Sequence, residues 1–317
     1  MWFKHPKYKL AKECFITEVS ASNLTNLSYH LPKILFICGG DPKYLSNREI
    51  IENYIQKHET KFLFFRAEYA WDVITKKGNE LNSTNALALE EWLAAFSDAV
   101  IILVESFGTV AELGAFSISD PLRKKLLPIL DKNYKSDESF VNTGPVAWVD
   151  KDSLYKPCVY TDFDAILTCM PQVISQLNNG SSKYGSRKTE DSLVGKYHFT
   201  KKELLFYIIY IVTSLGPINE KEVIDITNKT IDFGKNKKEK EDILFILSLC
   251  IALDLADYHE LNNDIYYACL NYRDLYKDET TKRVLTMSHH MRARCLSDLL
   301  HITEYKKLLK DMNNEVA

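Results

Sequence analysis

From residue 34 onward, short apolar runs rich in branched and aromatic residues alternate with stretches whose apolar positions recur every three to four residues. That alternation predicts a parallel sheet flanked by helices. The first predicted strand is Ile34 to Cys38, which breaks at Gly39-Gly40-Asp41-Pro42 before a helix from about Asn47 to His58. Phe62 to Arg66 is the second strand. Leu89, Trp92, Leu93 and Phe96 fall at i, i+3, i+4 and i+7, which predicts a helix near Ala86 to Phe96 leading into the strand Ala99 to Val104. A turn at Ser106-Phe107-Gly108 opens the next helix, Leu126 to Leu130 is a fourth strand, and a shorter fifth falls near Val146 to Val149 or Pro157 to Tyr160. The expectation is an α/β fold with a doubly wound, flavodoxin-like parallel sheet of about five strands.

The pattern changes at both ends of this block. Residues 1–33 are mixed, with Asn and Ser concentrated between Ser20 and Ser28, and suggest an arm with no firm element. From about Gln176 the chain turns polar, and NNGSSKYGSRKTEDS has the composition of an exposed linker. The expected organisation is therefore an arm at 1–33, an α/β domain at 34–175, a linker at 176–197 and a second domain at 198–317. In that second domain Thr200 and Glu203 suit the start of a helix that runs to Gly216-Pro217. A helix from about Asn219 to Thr230 follows, then one after the charged run Lys235 to Asp242, then two strands around Asn262-Asn263. Three helices closed by a hairpin is the order of a winged helix, so a mainly helical winged-helix-like domain with more helix in its tail is expected.

Composition narrows the functional classes. Forty basic against forty-three acidic side chains give a formal charge of −3, so no global field draws the chain to nucleic acid or anionic lipid. Lys235, Lys237, Lys238 and Lys240 form a local basic run that could meet nucleic acid, although such runs are commonly a solvated face. The seven cysteines include no C-x-x-C pair, and His289-His290 has no carboxylate or cysteine at ligand spacing, so no metal site is expected. The apolar runs 204–216 and 243–253 are short for a bilayer, and the N-terminus lacks a signal-peptide core. A cytoplasmic protein without membrane contact is expected.

In open parallel sheets ligands sit beyond the carboxyl ends of the strands, which directs attention to the loops after the first and third strands. The first loop, Cys38 to Asp41, offers adjacent glycines that let backbone N–H groups approach a ligand, followed at once by a carboxylate, or simply makes a tight turn. The second segment, Glu105 to Ser117, sets Glu112 early in a helix behind a buried strand. Thr109-Val110-Ala111-Glu112 also fits a T-x-x-E capping box, in which the glutamate would serve the helix start and nothing else. Read functionally, Glu112 lies in the first turn, where the helix N-terminus favours an ionised carboxylate able to act as nucleophile. Gly114 suits close helix packing. Glu90 and Glu91 lie off the apolar stripe of their helix and read as solvated charges, and no Walker A or full G-x-G-x-x-G pattern occurs.

The segments LFICGGD, VIILVESFGTVAELGAFS and SFVNTGPV resemble the retron effector toxins of the nucleoside deoxyribosyltransferase-like superfamily, which carry a strand, a small-residue GT turn and a helix beginning ELG. The resemblance covers about residues 34–150. It implies Glu112 as the catalytic carboxylate and Gly39, Gly40, Asp41, Glu68, Glu90, Ser106, Gly108 and Thr109 as substrate-binding candidates; Arg48 also falls where that family keeps an arginine. Metabolic members place an aspartate six residues before the nucleophile, where this chain has Ser106, which argues against housekeeping nucleoside exchange. The resemblance further implies an anti-phage toxin that cleaves an N-glycosidic bond of NAD or a nucleotide, with no separate cofactor. A reverse transcriptase and its multicopy single-stranded DNA (msDNA) would hold it silent, and a homo-oligomer is compatible. The alternatives from the residues are a metabolic deoxyribosyltransferase and a non-enzymatic nucleotide-binding sensor.

Overall fold

The computed structural model describes residues 2–21, 32–40, 46–58, 62–65, 94, 96–184, 193–194, 199–231, 240–262, 264–269 and 290–315. Its main elements, in chain order, are α1 (Pro6–Ala21), β1 (Lys33–Cys38), α2 (Asn47–His58), β2 (Phe62–Phe65), β3 (Ala99–Val104), α3 (Phe107–Ile118), β4 (Leu126–Asp131), β5 (Val159–Thr161), α4 (Met170–Tyr184), α5 (Lys201–Leu215), β6 (Ile218–Asn219), α6 (Glu220–Thr230), α7 (Lys240–Ala252), β7 (Asp257–Leu261), β8 (Asp264–Ala268), α8 (290–299) and α9 (Thr303–Glu315). The described residues within 33–67 and 83–187 form one compact unit, and those of the N-terminal segment and of 188–317 form another.

The first unit is a five-stranded, all-parallel sheet in the order β2-β1-β3-β4-β5. Apart from Lys33 and Asp131 at their ends, its central strands are apolar because helices cover both faces, and β1, β3 and β4 each bury five of their six residues. Leu35, Ile37, Ile101, Leu103 and Ile129 pack with Ile51 and Ile55 of α2 and with Val173 and Leu177 of α4 in one core. Asp98, just before β3, accepts the Ile34 N–H at 2.7 Å and fixes where β1 and β3 start relative to each other.

Three stretches bear on the pattern read along the chain. Of the two positions expected for the fifth strand the later one holds, at Val159–Thr161, while residues 142–152 are helical. Residues 176–184, polar enough to suggest a linker, continue α4. There Gly180 is buried against Tyr155: a Cβ added to it would lie 2.4 Å from the ring. Of the helix expected at 86–96, only Ala94 and Phe96 are among the described residues, and both are buried.

The second unit begins with α1, for which the sequence suggested no element. Tyr8, Ala11, Phe15 and Val19 form a buried stripe along it, and the Tyr8 hydroxyl donates to Glu222 of α6 at 3.1 Å. Lys12 pairs with Glu222 and, at 2.7 Å, with Asp225. From α5 onward the order is helix, short strand, two helices and a hairpin, with β6, β8 and β7 forming a three-stranded antiparallel sheet. Asn219 accepts the Glu222 N–H and caps α6. Asn262, with φ of 53°, takes the left-handed conformation that the tight hairpin turn requires. Beyond its charged first turn α7 is apolar apart from Ser248, and every residue from Ile243 to Cys250 is buried. Among the described residues no helix is long and apolar enough to cross a membrane.

Candidate active site

β1 and β3 lie side by side, parallel, with Cys38 opposite Ile102. The chain leaves them toward opposite sides of the sheet, since β2 flanks β1 and β4 flanks β3. The crevice beyond the ends of these two strands is the topological switch point. Gly39 and Gly40 extend β1 into it, Glu105 and Ser106 extend β3, and α2 and α3 start at its rim.

The start of α3 corrects the sequence reading. Ser106 is the N-cap, in extended backbone, and the capping box joins Ser106 and Thr109. The Ser106 Oγ accepts the Thr109 N–H at 3.2 Å, and Thr109 Oγ1 accepts the Ser106 N–H at 3.0 Å and the Glu105 N–H at 3.1 Å. Serine caps as well as threonine, and the helix begins as soon as the chain leaves the sheet. Thr109 is therefore already the third helical residue, and Glu112 stands in the second turn, outside both the first turn and the capping box. Its carboxylate is spared from capping, and the helix dipole, which fades within one turn, acts on it weakly.

Glu112 is half-buried. Burial pushes its carboxyl above the ordinary glutamate range, while a hydrogen bond from the Cys38 thiol and the charge of Arg48 pull it back. Its Oε2 is buried and has no hydrogen-bond partner among the described residues. A buried carboxylate oxygen without a donor is costly in a finished structure, and such groups concentrate where a ligand completes the site.

A second carboxylate, which the sequence reading left unassigned, organises the crevice. Glu105 Oε1 accepts the Gly40 N–H at 3.0 Å, and its Oε2 accepts from Asn47 Nδ2 at 2.8 Å. The available signal was its position as the first residue past a buried strand at the switch point. Beside it, Gly39 lies so close to α2 that a Cβ would sit 3.0 Å from the Arg48 Cβ.

Among the candidates, Gly39, Gly40, Ser106, Gly108, Thr109 and Glu112 thus lie on the two loops and the helix start at this crevice. Ser106 and Thr109 are engaged in the cap, and Gly108 is exposed. Asp41, Glu68, Glu90, Lys235, Lys237 and Lys238 fall outside the described residues, and Lys240 opens α7 without a described side chain.

Comparison with known proteins places this geometry in context. The family model described as STM3845 retron effector protein matches residues 44–258. An Escherichia coli protein named "Retron Ec73 putative ribosyltransferase/DNA-binding protein" is 26% identical over 263 residues, covering 78% of this chain and 80% of that protein. The E. coli retron Ec86 protein of the same description is 36% identical over 118 residues, 37% of either chain. Matched over most of its length, the chain belongs to the STM3845 retron effector protein family.

Proposed function

We propose that the sheet unit cleaves the N-glycosidic bond of NAD or of a nucleotide, with Glu112 as the reacting carboxylate. The observation that carries this reading is the Glu112 carboxyl itself: at the switch point, not used to cap its helix, and with Oε2 buried and unpartnered among the described residues. Partial burial strips water from the carboxylate and so sharpens it as a nucleophile, while the Arg48 charge favours its ionised form. In the first step a Glu112 oxygen bonds to C1′ of the ribose, and the base leaves with the electron pair of the broken C–N bond. Water then attacks C1′, loses a proton and frees the carboxylate. A ribosyltransferase, the activity in the names of the two relatives, differs only in which acceptor takes the sugar in that second step.

The Gly39-Gly40-Asp41 loop would hold ribose or phosphate, with Glu90 or Glu68 touching the base or the sugar hydroxyls. For the second unit we propose a winged-helix-like nucleic-acid contact, with retron reverse transcriptase and msDNA keeping the effector silent until infection.

The test is mass-spectrometric profiling of NAD and nucleotides after inducing the wild type or Glu112→Gln in cells lacking the partners. Loss of one pool with release of its base, in the wild type alone, is the expected result. A ribosylated product in place of free sugar would point to transfer. Identical pools in both would overturn the reading in favour of a nucleotide-binding sensor.

A further inference from the structure

We infer that Glu105 is a positioning residue that locks the glycine turn of β1 and the start of α2 to the helix bearing Glu112. The inference rests on the reading of Glu112 as the reacting group.

Glu105 ties three pieces of chain together. Through Oε1 it holds the Gly40 N–H, the last described group after β1. Through Oε2 it holds Asn47, the first residue of α2. Its own N–H donates to Thr109 Oγ1, inside the cap of α3. A carboxylate accepts at both oxygens and donates at neither, so it satisfies two converging donors at once. One side chain thereby holds both ends of the segment joining β1 to α2.

What lies beside these anchors gives the clamp its role. Arg48 follows Asn47, packs against Gly39, and is the charge that acts on Glu112. Shifting the start of α2 would therefore move the guanidinium relative to Glu112 and reshape the Gly39-Gly40 turn. A displacement of about 1 Å at a reacting centre costs up to about a hundredfold in rate.

The hydrogen-bond pattern supplies a test that separates positioning from general stability. Asn47→Asp sets a carboxylate against a carboxylate, yet an acid at the first helical position favours the helix itself. Glu105→Gln is tolerated, because the Asn47 amide can turn over and present its oxygen to the new amide. The double variant Asn47→Asp/Glu105→Gln restores a donor facing an acceptor. Purified full-length variants would be assayed for base release from NAD, ATP and dATP, with melting temperatures and hydrogen exchange at the Gly40 amide.

Expected for Asn47→Asp is a fall in kcat/KM of about tenfold or more, faster Gly40 exchange and a nearly unchanged melting temperature. Glu105→Gln and the double variant should stay within about threefold of wild type. A double variant no better than Asn47→Asp, or Asn47→Asp with wild-type rate and Gly40 exchange, would overturn the inference. If the wild type releases no base from any of the three probes, the glycosidic reading fails for them. The clamp then stands or falls on Gly40 exchange alone: fast in Asn47→Asp and slow in the double variant, or not.

Discussion

Two helical glycines should respond to the same substitution with opposite signs. Gly114 lies inside α3, and a Cβ there would meet nothing within 4 Å among the described residues. Gly114→Ala therefore gains helix propensity without a clash, about 1 kcal/mol. Gly180 lies inside α4, where the same atom would fall 2.4 and 2.5 Å from two carbons of the Tyr155 ring and 3.0 Å from the Leu154 carbonyl oxygen. That ring cannot yield easily, since Tyr155 is buried and its hydroxyl donates to the Asp98 carbonyl at 2.9 Å. Overpacking of this kind costs about 1–3 kcal/mol, and an overlap this deep belongs at the upper end. After the propensity gain, Gly180→Ala should lose about 2 kcal/mol. The two variants should thus differ by about 3 kcal/mol, which separates their melting temperatures by roughly 6–12 °C for a unit of this size. Thermal and urea melts of the full chain measure this directly. Equal shifts, or a Gly180→Ala protein as stable as wild type, would refute the steric argument and the placement of α4 against Tyr155.

Glu112→Gln should stabilise the fold at neutral pH. Because burial raises the folded-state value, the fold favours the neutral carboxyl, and the wild type loses stability as pH climbs from the unfolded glutamate value through the raised one. The variant's advantage in melting temperature should vanish below about pH 4; an advantage that grows toward acid would contradict the sign. Thr109→Val keeps the side-chain shape but removes the acceptor for the Glu105 and Ser106 N–H groups, and should cost about 1–3 kcal/mol by urea midpoint. Arg292 is buried and donates to the carbonyls of Ser214 and Gly216 and to the Tyr305 hydroxyl. Arg292→Met should destabilise the second unit by about 2 kcal/mol or more, read from the same melts.

The sheet was legible because strands buried on both faces must be apolar throughout, and Ile34 to Cys38 and Ala99 to Val104 have few other readings. The start of α3 was harder. Ser106 and Thr109 are both good caps, and a glutamate three residues after the second imitates the box that the first one forms. α1 carries Tyr8, Ala11, Phe15 and Val19 at helical spacing, but lysines and glutamates between them dilute the stripe. The glycines exchanged roles. Gly114 looks like a packing glycine and has open space among the described residues, while Gly180, set among Asn and Ser, is the one pressed against an aromatic ring. Composition reports solvent preference on average and is blind to a single contact. Beyond its position at the end of β3, the role of Glu105 was hidden for a related reason, since its donors, Gly40 and Asn47, become its neighbours only when β1 and β3 pair.

α7 bears on the nucleic-acid contact proposed for the second unit. In a helix–strand–helix–helix–hairpin arrangement, the helix just before the hairpin is the natural one to enter a major groove. Here that helix has given its whole circumference from Ile243 to Cys250 to the interior, and the hairpin beyond it carries Asp257, Glu260 and Asp264, which would repel phosphate. Among the described residues, then, neither the body of this helix nor the hairpin offers a surface that would attract phosphate.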